Sequence, residues 1–211
     1  MKPTALAVFA SGNGSNMQNI VDYTKIHPEL KVAVVYCNNP SAFVIQRAKN
    51  EQIPVLQIDK KGYENTEKLL MELYKYKVDY IILAGFLWLV PKYILDAFPE
   101  KILNIHPALL PSFGGKGMYG KHVHKAVLDS KRTESGISIH LVNSQYDKGK
   151  IIFQASCRIM TDETPESLSG RIHKLEKKYY PKIIHEYIRS TSMMEEAQPI
   201  PENREEGNSE E

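Results

Sequence analysis

The segment Lys101 to Pro111, KILNIHPALLP, sets an asparagine and a histidine two residues apart within a short apolar run. Ile102 to His106 reads as a buried strand ended by Pro107, because proline lacks the N–H that a sheet ladder requires. Alternation along the strand sends Asn104 and His106 to one face and Leu103 and Ile105 to the other. The carboxyl ends of strands in open α/β sheets are where ligand crevices form. An amide there can donate to a developing oxyanion, and an imidazole can supply or relay a proton, which together serve acyl transfer. Taken singly, Asn104 is a turn residue and His106 a satisfied core histidine. Their pairing at a strand end is what points to chemistry.

A second candidate is SGNGSN, residues 11–16, directly after the apolar run Ala5 to Ala10. Gly12 and Gly14 permit tight backbone, and Ser15 or Asn16 can cap a helix over Met17 to about Lys25. A strand, a glycine turn and a helix N-terminus form a phosphate cradle, since free N–H groups and the helix dipole favour an anion. The pattern is neither GxGxxG nor GxxxxGK[ST], so no dinucleotide or nucleoside triphosphate is implied. In GFLWLVP, the residues Phe86, Leu87, Trp88, Leu89 and Val90 follow another strand end, where they are either core or a flat apolar pocket. Asp147, in the turn NSQYDKGK, is on its local sequence only a turn former. His122 and His124 are two apart on an expected helix, do not share a face and make a poor zinc pair.

The elements that must position these residues alternate in type. Strands are expected at Val32 to Tyr36, Val55 to Ile58 and Tyr80 to Ala84, with helices from Asn39–Ser41 to about Glu51 and from Asn65 to Tyr76. This is the βαβ pattern of a right-handed, mostly parallel sheet. Ser112 to Gly120, SFGGKGMYG, reads as a mobile loop at the working edge. Gly136 to Val142 and Ile151 to Arg158 form an expected antiparallel hairpin. A long amphipathic helix then runs to about Arg189, with Leu168, Ile172, Leu175, Tyr179, Ile183 and Tyr187 inward.

The 211 residues suit one sizeable α/β domain over 1–189, with 190–211 an acidic tail expected to be disordered. That tail holds seven glutamates and one arginine, which leaves 26 basic and 18 acidic residues, about +8, on the body. The basic residues are scattered and lack interleaved aromatics, so a phosphorylated small substrate fits better than nucleic acid. No apolar run reaches the ~18 residues of a membrane span, and the N-terminus lacks signal-peptide features. Cys37 and Cys157 lie in expected strands without CxxC spacing, so free thiols in a cytoplasmic protein are expected.

Together SGNGSN, LAGF, NIHPALLP and the Asp of QYDKGKII resemble the phosphoribosylglycinamide formyltransferases, folate-dependent enzymes of purine synthesis, over roughly the first nine tenths of the chain. The resemblance implies a single Rossmann-like open-sheet domain, active as a monomer or homodimer. It implies transfer of a formyl group from 10-formyltetrahydrofolate to the amino group of phosphoribosylglycinamide, without a metal, nucleic acid or membrane. By position, Asn104 would hold the oxyanion, His106 would donate the proton and Asp147 would keep that imidazole charged and oriented. Gly14, Ser15 and Asn16 would cradle the substrate phosphate, and Glu176 in HKLEKKYYP would touch its ribose. Leu87, Trp88, Leu89 and Val90 would line the pterin pocket together with Asn104. The chain departs from the family in carrying Trp88 where many members have Arg. It also has Lys60 or Lys61 where a cation is expected before Leu69, and a longer GGKGMYG loop. Methionyl-tRNA formyltransferase and formyltetrahydrofolate deformylase share the triad, but usually carry an additional C-terminal barrel or N-terminal regulatory domain. A nonenzymatic phosphate-binding module would explain SGNGSN but leave Asn104, His106 and Asp147 unused.

Overall fold

A computed structural model of the chain describes residues 2–64 and 66–196. Its centre is β1 (Thr4–Ala10), fully buried from Ala5 to Ala10, as a strand covered on both faces must be. Parallel to it lie β2 (Leu30–Cys37) on one side and β4 (Tyr80–Leu83) on the other. The sheet continues outward to β3 (Val55–Gln57) beyond β2 and β5 (Ile102–His106) beyond β4. Antiparallel β6 (Glu134–Leu141) and β7 (Ile151–Arg158) complete the order β3-β2-β1-β4-β5-β6-β7. The expected mostly parallel open sheet with a C-terminal hairpin is therefore the observed one.

Helices cover both faces. α1 (Ser15–Thr24), α2 (Val44–Asn50), α6 (Lys121–Asp129) and α7 (Pro165–Glu196) pack on the face that carries Leu6, Val8 and Leu103. The short α3 (Lys60–Glu64), then α4 (Thr66–Lys75) and α5 (Lys92–Ala97), flank the opposite face, where Leu69, Leu73 and Ile94 meet Ala7, Phe9 and Ile81. Chain order reverses between β1 and β4, so the loops leaving their carboxyl ends diverge and open a crevice there.

Two features differ from the sequence expectation. The buried seam of α7 is Leu168, Ile172, Glu176, Tyr180, Ile184 and Ile188, with Leu175, Tyr179, Ile183 and Tyr187 half-buried beside it. A carboxylate thus occupies a core position in mid-helix, and the purely apolar pattern led one residue astray. The Tyr180 hydroxyl donates to Leu83 O at 2.8 Å and lies 3.3 Å from Leu103 O, which pins the helix to the ends of β4 and β5. Second, α7 runs on past Arg189 to Glu196, and Thr191 Oγ1 lies 2.7 Å from the Tyr80 hydroxyl. The boundary at 189/190 falls inside this helix, and residues 197–211 of the acidic stretch lie outside the described residues. Among the described residues, no helix is long and apolar enough to cross a membrane.

Candidate active site

The loops after β1, β4 and β5 border a cavity of about 710 Å³, a size that suits a substantial organic ligand. Gly14, Ser15, Asn16, Leu87, Trp88, Leu89, Val90, Asn104, His106, Asp147 and Glu176 all line it. Lys61, exposed on α3, does not line the cavity, so it is not brought to the other candidates.

At the centre, the register of β5 against β6 sets Asn104 opposite His140 and His106 opposite Ser138. His140 Nδ1 lies 2.7 Å from Leu141 O and must donate to it, so in the neutral ring Nε2 is an acceptor. The Asn104 amide donates to that Nε2 at 3.0 Å, which fixes the amide orientation. The same Nδ2 reaches Asp147 Oδ1 at 3.4 Å, a loose contact. Asn104 is therefore not a wholly free oxyanion donor. One N–H is anchored by His140, and the second is the one a ligand can recruit.

Asp147 arrives from the β6–β7 turn with a φ of 54°. Its Oδ2 accepts the Gly115 N–H at 2.8 Å and stands 3.5 Å from His106 Nδ1, while Oδ1 is 3.6 Å from His140 Nε2. Gly114 permits this approach, because a Cβ there would lie 2.6 Å from Leu110 Cδ2 and 3.0 Å from Asp147 Cβ. Burial alone would raise the Asp147 carboxyl, but His140 once its ring is protonated, His106 and the Gly115 N–H outweigh it and hold it below the ordinary range. His106 moves the opposite way from the charged imidazole expected. Burial lowers its pKa below the ordinary value, against upward pulls from Asp147 and the Phe113 carbonyl, while His140 adds a further downward push. His106 Nε2 lies 2.7 Å from Phe113 O and so carries a proton. In the neutral ring Nδ1 is then bare and faces the Asp147 carboxylate.

Ser138 holds the NIHPALLP turn in place. Its hydroxyl donates to Ala108 O at 2.7 Å and accepts from Leu110 N at 2.9 Å and from Gln154 Nε2 at 2.7 Å. His140, Ser138 and Gln154 were missed as site residues. The alternation of GISIHL does set Ser138 and His140 on one polar face, but only the strand register shows what they meet.

At the second arm, α1 starts at Ser15 with Gly14 as its N-cap at φ 79°, and no side chain caps it. The expected Ser15 or Asn16 cap is absent, so first-turn N–H groups are left for a ligand. Asn16 instead donates to Glu176 Oε2 at 3.1 Å, and its buried Oδ1 has no partner. Burial pushes the Glu176 carboxyl above its ordinary range, opposed by His173 and the Asn16 amide. An orphaned acceptor beside a buried carboxyl suits a ligand bearing hydroxyl or amine hydrogens. Gly14 also has a structural reason: a Cβ there would stand 2.6 Å from Val44 Cγ2 and 2.9 Å from Val44 Cα. Gly14→Ala should therefore destabilise the fold by about 2 kcal/mol or more, from positive φ and backbone collision combined, read as a lower thermal midpoint. A parent-like melt would show that α2 yields freely.

The third arm is apolar. Leu87 and Leu89 are exposed, while Trp88 packs 5.2 Å from the Tyr63 ring and 6.1 Å from Phe86. Leu87 N donates to Ser11 Oγ at 3.1 Å, which ties this arm to the glycine turn.

Residues 4–184 match the formyl transferase family. The chain is similar to the chloroplastic phosphoribosylglycinamide formyltransferase of Arabidopsis thaliana, 42% identical over 191 residues, covering 85% of this chain and 63% of that one. It is 38% identical over 187 residues to the phosphoribosylglycinamide formyltransferase of Bacillus subtilis, covering 86% of this chain and 93% of that protein. The chain thus spans about six tenths of the plant relative and nearly all of the bacterial one. Among solved structures, the phosphoribosylglycinamide formyltransferase of Bacillus halodurans superimposes with a TM-score of 0.80 at 32% identity, over 89% of this chain and 97% of that chain. The glycinamide ribonucleotide transformylase 1 of Geobacillus kaustophilus gives 0.78 at 36% identity, over 86% and 97% respectively.

Proposed function

The chain belongs to the formyl transferase family, and we propose that it transfers the formyl group of 10-formyltetrahydrofolate to the amino group of phosphoribosylglycinamide. The convergence of Asn104, His106 and Asp147 within 3.4–3.5 Å at the centre of a three-armed cavity carries this reading. The uncapped helix start suits the phosphate, Asn16 and Glu176 suit the sugar and glycinamide, and the Phe86 to Val90 strip suits the pterin. A cytoplasmic setting belongs to the same proposal, supported by two unpaired cysteines.

The reaction forms a bond from the amine nitrogen to the formyl carbon and breaks the bond from that carbon to the folate nitrogen. One proton leaves the amine and one reaches the folate nitrogen. The recruitable Asn104 N–H stabilises the oxyanion as it grows. Neutral His106 presents its bare Nδ1 to Asp147, so an imidazolium formed when the ring gains a proton is held by that carboxylate. The Nε2 proton is bound to Phe113 O at 2.7 Å, so its delivery requires the 112–120 loop to release the ring.

Release of tetrahydrofolate that depends strictly on phosphoribosylglycinamide tests the proposal. Release supported by methionyl-tRNA, or by water alone, would refute it. Glu176→Gln should raise KM for phosphoribosylglycinamide about ten- to a hundredfold, the loss expected for a hydrogen bond to a charged group, and leave the folate KM unchanged. Steady-state kinetics with each substrate varied in turn would measure both.

A further inference from the structure

Where the loop between α1 and β2 meets α7, outside the residues lining the cavity, two imidazoles and a carboxylate converge. Glu29 Oε1 stands 3.4 Å from His27 Nδ1 and 3.0 Å from His185 Nε2, and the three candidate ligand atoms all lie within 4.8 Å of one another. We propose that His27, Glu29 and His185 form a transition-metal site, with Zn²⁺ the ion that fits.

Two of the three ligand edges are near what zinc requires, and the third, between the imidazoles, lies within 4.8 Å and closes by rotation of the half-exposed His27 ring. Ligands about 2.0–2.1 Å from a tetrahedral zinc lie about 3.3–3.4 Å apart, so the His27–Glu29 edge is already set and the His185–Glu29 edge needs only a slight opening. A His₂–carboxylate donor set is one that zinc accepts, with water in the fourth position. The supporting contacts are also in place. His185 Nδ1 lies 3.1 Å from the Tyr23 hydroxyl, which can donate to that nitrogen or accept from it. Before binding, Nε2 carries the proton toward Glu29 and Nδ1 accepts from Tyr23. With metal on Nε2 the proton moves to Nδ1 and Tyr23 accepts it, so either tautomer is satisfied. The Tyr23 ring stacks on His27 at 4.0 Å between centroids and fixes the plane of the second imidazole. Side-chain exposures of 32% for His27, 52% for Glu29 and 17% for His185 leave the site open to solvent on the Glu29 side.

The same contacts could be two histidine–carboxylate ion pairs, and the two readings differ in pH dependence. Ion pairs strengthen as the imidazoles take up protons, whereas zinc competes with protons for the same lone pairs and is lost as pH falls. Tyr23 on α1 faces this cluster, and Glu186 on α7 is close enough to act on the Tyr23 hydroxyl. A bound ion would clip the α1–β2 corner to α7, the helix that carries Glu176 into the cavity, and so would stabilise the site's framework without entering the chemistry. In the sequence, His27 and Glu29 belong to an HPE triplet and His185 lies on a distant helix, so nothing local shows the triad.

The test uses the full chain stripped with chelator and titrated calorimetrically with Zn²⁺ alone. One saturable site per chain of micromolar affinity or tighter is expected, weakening as pH falls. At a hundredfold excess over Kd, zinc should raise the thermal midpoint by about 5–10 °C. His27→Phe retains the stack on Tyr23 without the ligand atom, and Glu29→Gln retains shape without charge. Each should weaken binding roughly tenfold or more while melting like the parent in the absence of zinc. Millimolar or unsaturable binding, or affinity unchanged in both variants because the ion sits elsewhere, would overturn the proposal.

Discussion

Replacing Asp147 with asparagine should lower turnover at neutral pH by roughly 10²–10⁴-fold, the range over which a positioned proton-transfer group contributes. The cause lies in His106. Burial already holds its imidazole below the ordinary range, and Asp147 is the largest influence pulling upward. Without that carboxylate the ring should titrate lower still, and an imidazolium formed during transfer would have no anion at Nδ1. Both substrates should still bind, because Asp147 lies at the junction of the arms rather than within either. The sign carries over to stability. An unfolded histidine titrates near 6.5 and the folded one lower, so the unfolded chain binds more protons as pH drops through that window, and stability falls with it. Asp147→Asn should extend the loss to lower pH. Imidazole titration by NMR in parent and variant reads the shift directly, and superimposable His106 curves would remove Asp147 from the mechanism.

Asn104→Ala should cost about 10²–10³ in kcat, the usual loss for one oxyanion donor, with each KM within a few fold of the parent. The effect falls on kcat because the second amide N–H, held only at 3.4 Å by Asp147, turns to the ligand as charge develops on oxygen. The substitution also leaves His140 Nε2 without its 3.0 Å donor. His140→Asn therefore separates positioning from donation: it retains Asn104 but loosens its orientation, and its deficit should be smaller. Equal kcat losses in the two variants, or a loss confined to KM, would count against Asn104 as the oxyanion donor.

Legibility in the sequence followed the locality of the signal. β1 could be recognised because a continuous apolar run that meets a glycine turn is the pattern of a strand covered on both faces, and β5 because its alternation of apolar and polar residues stops at a proline. The strand-end pair Asn104 and His106 could be read for the same reason. Asp147 could not be distinguished from an ordinary turn residue, since its meaning depends on a 3.5 Å approach to His106, 41 positions earlier in the chain. Resemblance supplied that residue and Glu176, and periodicity did not. The α7 seam was misplaced because Glu176 interrupts its apolar spacing at the point where the helix enters the site. His140 and Ser138 required the β5–β6 register, and the His27–Glu29–His185 triad required the packing of α7 on the α1–β2 corner.

Isotopic labelling follows the formyl carbon itself from donor to acceptor. The full chain would be incubated with phosphoribosylglycinamide and 10-formyltetrahydrofolate labelled with ¹³C at the formyl group, and the products resolved by mass spectrometry. Transfer to the amine should place the label on the glycinamide nitrogen in an amount equal to the tetrahydrofolate released. Label appearing as free formate, or remaining on the folate, would contradict it.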